Sequence, residues 1–393
     1  MLKNSSASGV AVWCAIIGLI SAPAFAQERP SPPPLVVPET QPSPDAALVS
    51  PLLSDDGAVT FSLYAPGAQQ VVLDSLELVY LAANGGPLAP PILVKDANGV
   101  WTLTLRPPPG TYRYAFMVDG VRVVDPRNPN TTGANDAASS IVHIDGLIAE
   151  DRRDVPHGAV SEVYYPSPVF GQTRRMHVYT PPGYERSTRR YPVLYLLHGN
   201  GDSDEAWSTT GRVNFILDNL IASGQAEPMI VVMPAGHWAG QGSVLEMLLS
   251  RTPGSDEFSR DFTEAVLPYV ERSYRVRPGA RSRAIAGLSM GGAQAMTLAL
   301  TRPGMFDSVG VFSAGFLGNA GEAYSPEQMR GARELGLFYF AFGTEDFVTP
   351  YTRYTLDLFD YYDVPTVRHE TGGGHTWTNW RAYLQDFAPR LFR

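Results

Sequence analysis

Apolar and polar positions change rhythm along the 393 residues, and each rhythm predicts a different architecture. Between residues 56 and 148 they alternate in short runs, as in Val59-Thr60-Phe61-Ser62-Leu63-Tyr64, Trp101-Thr102-Leu103-Thr104-Leu105 and Tyr112-Arg113-Tyr114-Ala115-Phe116-Met117-Val118. A period of two sends successive side chains to opposite faces, which predicts half-buried strands. Pro107-Pro108-Pro109-Gly110 punctuates the series, and Asp119-Gly120 between two such runs predicts a two-residue hairpin. Short strands with regular turn punctuation predict a small antiparallel β-sandwich over residues 56–148. Trp101, Tyr112, Tyr114 and Phe116 fall within the alternation, which makes them core residues in this reading.

From residue 149 the rhythm changes. Pro192-Val193-Leu194-Tyr195-Leu196-Leu197 and Met229-Ile230-Val231-Val232-Met233-Pro234 are continuous apolar runs, as expected of strands covered on both faces. Further strands are expected at 281–286, 309–313, 337–342 and 366–369, with helical periodicity at 213–221, 261–274, 354–362 and 380–391. Strands alternating with helices predict a doubly wound, mostly parallel sheet over residues 149–393.

The N-terminus follows neither rhythm. Lys3, an apolar stretch over residues 10–20 and Ala24-Phe25-Ala26 make the pattern of a cleavable signal peptide at 1–26, which leaves Gln27 as the first mature residue. Residues 27–55 are dense in proline and poor in aromatics, the composition of a semi-rigid linker. The only cysteine, Cys14, lies in the expected signal peptide, so the mature chain has no disulfide or thiolate site. A net charge of −9, without a block of like charges, argues against a nucleic-acid partner. These features predict a secreted or periplasmic protein with no membrane attachment after cleavage. Oligomeric state is not legible.

Candidate chemistry centres on Gly287-Leu288-Ser289-Met290-Gly291. A small-residue strand precedes it and a helix rich in small residues follows, the strand–turn–helix context of a nucleophile elbow in an α/β hydrolase. A serine hydroxyl is a weak nucleophile at neutral pH and needs a base. Chain order in this architecture is nucleophile, acid, histidine, and only His369 and His375 follow Ser289. His369 lies within a strand pattern, whereas His375 follows Thr371-Gly372-Gly373-Gly374, a loop able to carry a side chain over the sheet edge. That placement favours His375 as the base. Glu345 and Asp346 directly follow a buried strand, and Asp346 is the stronger candidate for the acid that orients the imidazole. Backbone N–H groups of Met290 and Asn200 are the expected oxyanion donors. His237, Trp238 and Trp377 are candidate walls of a substrate pocket. No metal site or cofactor is predicted: His-Glu-x-x-His, a cysteine cluster and a phosphate loop after a strand are all missing from the sequence.

Five blocks in order carry a family resemblance: His198-Gly199-Asn200-Gly201-Asp202, Met233-Pro234-Ala235-Gly236-His237, Gly287-Leu288-Ser289-Met290-Gly291-Gly292, Phe342-Gly343-Thr344-Glu345-Asp346 and Gly373-Gly374-His375-Thr376-Trp377-Thr378-Asn379-Trp380-Arg381. Together they resemble the esterase D and carbohydrate esterase family 1 group. By that pattern Ser289, Asp346 and His375 fill the triad. Gly99-Val100-Trp101, Pro109-Gly110-Thr111-Tyr112-Arg113-Tyr114 and Val118-Asp119-Gly120 resemble an early-set immunoglobulin-like module related to carbohydrate-binding family 48. The combination looks most like secreted bacterial feruloyl esterases, which implies an esterified plant polysaccharide or oligosaccharide as substrate. Acetylxylan esterase is the nearest alternative. An enterochelin-type esterase, a mycolyl-type acyltransferase and an inactive carbohydrate-binding protein stand further away.

Overall fold

Alternating sequence becomes strand first in the N-terminal half of a computed structural model that describes residues 45–75, 77–78, 91–133, 137–147, 149–237, 254, 256–316 and 324–393. The expected signal peptide at 1–26, and the linker as far as residue 44, lie outside the described residues. Among the described residues no helix is long and apolar enough to cross a membrane.

Nine short strands build two antiparallel sheets: β1 (Leu52–Leu53), β2 (Val59–Tyr64), β3 (Val71–Asp74), β4 (Val94–Lys95), β5 (Val100–Leu105), β6 (Gly110–Val118), β7 (Val121–Val123), β8 (Thr131–Thr132) and β9 (Ser139–Ile144). One sheet runs β1-β2-β5-β4; the other runs β3-β6-β9-β8, with β7 paired to β6. Their shared core contains Phe61, Trp101, Tyr112, Tyr114 and Phe116. The polar tips among these rings are all satisfied: Tyr114 donates to Asp125 at 2.7 Å, Tyr112 to the Pro108 carbonyl at 2.8 Å and Trp101 to the Ala65 carbonyl at 2.9 Å. Asp119 and Gly120 turn from β6 into β7 with φ of 48° and 84°, the two positive angles that this kind of tight hairpin needs.

One boundary differs from the sequence reading. The stretch read as linker through residue 55 joins the sandwich earlier, because β1 pairs with β2 and the buried Ser50 hydroxyl donates to Asp125 at 2.6 Å. Proline density did not prevent this. β1 is an edge strand, where a neighbouring proline leaves no ladder bond unmade.

The second half is an eight-stranded sheet made of β10 (Ala159–Ser167), β11 (Gln172–Thr180), β12 (Val193–Leu197), β13 (Ile230–Pro234), β14 (Arg283–Leu288), β15 (Ser308–Phe312), β16 (Leu337–Gly343) and β17 (Val367–Thr371). Its order is β10-β11-β13-β12-β14-β15-β16-β17, with β10 and β11 antiparallel and the remainder parallel. Helices α1 (Val213–Ala222), α2 (Glu257–Asp261), α3 (Leu267–Ser273), α4 (Met290–Thr301), α5 (Pro326–Gly331), α6 (Thr349–Tyr361) and α7 (Trp377–Phe387) accompany it. Separate apolar clusters include Tyr195, Ile285 and Val311 in one case and Leu194, Ala286 and Phe312 in the other. Adjacent residues of one strand fall in different clusters, so the sheet is covered on both faces, as its unbroken apolar runs require.

Three helices, α2, α6 and α7, begin earlier than their periodicity suggested. Asp256 caps α2 by accepting the Ser259 N–H at 2.9 Å, and a π-helical stretch at Phe262–Val266 joins α2 to α3. α6 begins with proline in its first turn, where the missing N–H costs nothing.

Contacts knit Pro44–Arg393 into one compact unit. At the junction of sandwich and sheet, the fully buried Arg381 of α7 pairs with the buried Glu150 carboxylate. It also donates to the Thr111 and Thr210 carbonyls, both at 3.2 Å. Removing one partner of such a pair strands the other charge in a dry interior, at a cost of roughly 3–5 kcal/mol.

Candidate active site

Ser289 stands between β14 and α4 with φ 75° and ψ −109°, outside the regions that L-residues favour. Holding it there costs on the order of 1–3 kcal/mol, which the packing around it must outweigh. Glycine makes that packing possible. A Cβ on Gly287 would lie 2.4 Å from the Gly291 carbonyl carbon, and one on Gly291 would lie 2.6 Å from the His198 carbonyl oxygen. Helix and strands therefore approach more closely than side chains would permit. The Ser289 N–H donates to the Phe312 carbonyl at 2.9 Å, which ties the turn to the neighbouring strand.

His375 approaches from the loop after β17. Its Nε2 lies 3.0 Å from Ser289 Oγ, and its Nδ1 lies 3.0 and 3.1 Å from the two Asp346 carboxylate oxygens. An ionised carboxylate can only accept, so Nδ1 carries the proton and Nε2 offers its lone pair to the serine hydroxyl. Asp346 is 3% exposed and follows β16, while the adjacent Glu345 faces solvent. Burial pushes the Asp346 carboxyl upward, but hydrogen bonds from His375, the Val348 N–H and Ser313 outweigh it and hold its pKa below the ordinary value. Ser313, also at positive φ (50°), accepts the Trp380 indole N–H at 2.9 Å. Trp380 in turn sets its ring edge-on to His375 at 4.9 Å between centroids, and Phe347 covers the imidazole at 4.6 Å.

On the other side of Ser289 lies the loop after β12. A Cβ on Gly199 would come 3.7 Å from the Ser289 Cβ, so the chain at Gly199 runs directly beside Ser289. Met290 is the first residue of α4, where N–H groups lack intrahelical partners. His198 is spent on structure: Nδ1–H donates to the Gly199 carbonyl at 2.7 Å, and Nε2 accepts the Gly236 N–H at 2.8 Å. Burial, aided by the nearby His237, pushes its pKa down to about 4. Gln294 of α4 donates to the Gly236 carbonyl at 2.9 Å, joining the elbow helix to the same network.

The sandwich reaches this loop as well. Arg113 of β6 pairs with Asp202 at 2.7 Å, the Ser203 hydroxyl donates to the Gly133 carbonyl at 3.0 Å, and Glu205 accepts the Gly133 N–H.

The structure brings Ser289, Asp346 and His375 together; Met290 follows the serine directly, and Gly199, the chain neighbour of Asn200, lies beside it. The remaining candidates fare differently. His237 is half-buried and bonds through Nε2 to the Asp202 carbonyl at 2.9 Å, so one of its nitrogens supports the glycine loop. Trp238 lies outside the described residues. Trp377 as a pocket wall is corrected: it is 0% exposed, with its ring packed edge-on against Trp207 at 5.1 Å and Trp380 at 5.3 Å. As the first residue of an amphipathic helix docked on the sheet, it turns into the core. His369 stacks on Tyr339, away from the triad, and His157 bonds Asp218. Arg113, Ser313, Phe347 and Trp380 went unrecognised as site residues in the sequence. Among the described residues one group has metal-ligating types in reach of one another: His143, Asp145 and Asp151, where Thr111 already takes His143 Nδ1.

A strained serine on a strand–helix turn, with acid and histidine at the ends of later parallel strands, defines an α/β hydrolase. Residues 167–333 match the Esterase family. The chain is 29% identical over 357 residues to an endo-1,4-beta-xylanase/feruloyl esterase of Xylanibacter ruminicola, a match covering 87% of this chain and 46% of that protein. The chain thus spans less than half the length of this relative. Among solved structures, a ferulic acid esterase matches with a TM-score of 0.52 and 26% identity, covering 60% of this chain and 97% of its own. An enterobactin esterase from Shigella flexneri shares the fold over 85% of this chain and 92% of its own, with a TM-score of 0.59 and 18% identity. All four fall within, or include in their names, the carboxylic ester hydrolases.

Proposed function

We propose that this protein is an exported carboxylic ester hydrolase that releases hydroxycinnamate, ferulate foremost, from esterified plant polysaccharide. The observation that carries the reading is the hydrogen-bonded chain from Ser289 through His375 to the buried Asp346. In this mechanism Ser289 Oγ attacks the ester carbonyl as His375 Nε2 takes the hydroxyl proton. Asp346 stabilises the imidazolium without accepting that proton. Negative charge on the carbonyl oxygen is met by the N–H groups of Met290 and Asn200. Collapse breaks the ester C–O bond, His375 returns the proton to the leaving sugar hydroxyl, and an acyl-Ser289 remains. Water, deprotonated by His375, then frees the acid and restores the serine.

The acyl group is inferred from the names of the sequence relative and of the ferulic acid esterase structure. The relative's name also contains a xylanase. Glycosidic cleavage calls for a pair of carboxylates flanking the bond, whereas the acid in this site is committed to its histidine. Export rests on the signal pattern at 1–26, and sequencing the N-terminus of protein recovered outside the cytoplasm tests it by whether Gln27 comes first.

Turnover of methyl ferulate and p-nitrophenyl acetate by the wild type and by Ser289→Ala tests the chemistry. The wild type is expected to cleave methyl ferulate, and the variant to lose at least about 10⁴-fold in kcat. Equal rates would overturn the serine mechanism. Cleavage of the acetate alone would replace hydroxycinnamate by acetyl as the acyl group.

A further inference from the structure

Among the described residues five aromatic side chains are exposed, and four of them, Phe347, Tyr351, Tyr354 and Tyr361, fall within one fifteen-residue segment on and just before α6. Their exposures are 70, 43, 42 and 78%. Within α6 the spacing of three and then seven residues keeps the tyrosines on one side of the helix. Thr352, Leu356 and Phe359 bury the opposite side. From Tyr351 to Tyr361 the stripe runs about 15 Å along the helix axis. It starts at the triad, since Phe347 rests on the His375 ring.

We propose that this stripe is a binding track for the saccharide chain from which the acyl group is cut. The proposal rests on the polysaccharide-ester reading above. An ester bound at Ser289 has an acyl part and an alcohol part, and when the alcohol belongs to a polymer it must continue away over the protein surface. Phe347 marks the place where exposed surface meets the catalytic imidazole. A flat tyrosine face packs against the C–H face of a pyranose, while its hydroxyl remains available to sugar hydroxyls. Polar side chains are interleaved with the rings rather than excluded. Arg353 pairs with Glu370 at 2.9 Å and Asp360 pairs with Arg368, which leaves the flank without a strong field of either sign. That suits a neutral glycan. A protein partner would favour a core depleted of charge.

Tyr354→Gln and Tyr361→Gln, singly and combined, leave the triad and Phe347 untouched. On methyl ferulate their kcat/KM should equal that of the wild type. On feruloylated arabinoxylan oligosaccharides the double variant should lose about tenfold, through KM. Tyr354→Gln should dominate for short oligosaccharides, with Tyr361→Gln felt as the chain lengthens. Unchanged kcat/KM on the oligosaccharides, or the same loss on methyl ferulate, would overturn the track. A wild-type dimer that the double variant dissolves in size-exclusion chromatography would also overturn it and assign the face to a second copy. If the wild type cleaves neither ester, the functional reading fails separately. Retardation in gels containing acyl-free arabinoxylan then decides the track: it stands if the wild type is held back and the double variant runs free, and it falls if both run free.

Discussion

Two glycine loops flank Ser289 and are held in opposite ways. The loop after β17 is fixed mainly from within its own half of the molecule. Asn379 of α7 donates to the Gly372 carbonyl at 2.8 Å, and the Glu345 N–H reaches the Gly373 carbonyl at 3.0 Å. One contact arrives from the N-terminal region, where Glu77 accepts the Trp377 N–H at 2.9 Å at the start of α7. The loop after β12 is instead braced by the sandwich, through Arg113, Gly133 and their partners on Asp202, Ser203 and Glu205. Each loop contains a histidine, and the contrast is sharpest there. His198 spends both nitrogens on backbone, while His375 spends one on a carboxylate and turns the other to the Ser289 hydroxyl. What makes a base is the unspent lone pair, more than residue type or position at a strand end.

The largest expected effect breaks the histidine side. His375→Ala should lower kcat by at least about 10⁴-fold, and Asp346→Asn by a similar factor, because an amide would favour the wrong imidazole tautomer. Steady-state kinetics on methyl ferulate checks both. The glycine side should respond by a smaller factor. Arg113→Met leaves Asp202 without its cross-domain partner and frees the loop carrying Asn200, and a small misplacement of an oxyanion donor should cost roughly 10- to 100-fold in kcat with little change in KM. Arg113→Lys, which keeps the charge, should recover part of that loss. A change of thermal midpoint with kcat intact would instead make the pair purely structural.

That difference between the loops also explains what could be read from the sequence. Ser289 and His375 were legible because a nucleophile elbow and a glycine loop after a strand are local patterns. Glu345 and Asp346 were legible as a pair just after a buried strand, with Asp346 the stronger candidate, and the structure buries Asp346 and exposes Glu345. The sandwich was legible from periods of two, and the eight-stranded sheet from unbroken apolar runs. Arg113 lies 89 residues from Asp202, and nothing local marks it apart from the other arginines on strands. Ser313 looked like an ordinary strand-end serine, since its contacts to Trp380 and Asp346 come from two other elements. Trp377 misled for the same reason. Its motif placed it two residues after His375, but only the helix axis decides that it turns inward.

The smallest effect at neutral pH separates the two histidines by titration. Folding buries His198 as a neutral imidazole with its pKa lowered to about 4, whereas in the unfolded chain it returns to the ordinary histidine value of 6.5. Between those values the unfolded state binds more protons, so stability rises with pH across the window. The contribution is fully present above about 6.5 and drains away as the pH falls toward 4, by on the order of 3 kcal/mol. His198→Gln can keep both bonds, since its amide donates and accepts, yet it does not titrate. Its urea midpoint should therefore change less than that of the wild type between pH 7 and 4, with the two proteins similar at pH 7. Parallel pH profiles would mean that His198 is protonated inside the fold, and the Gly236 N–H would then have lost its acceptor.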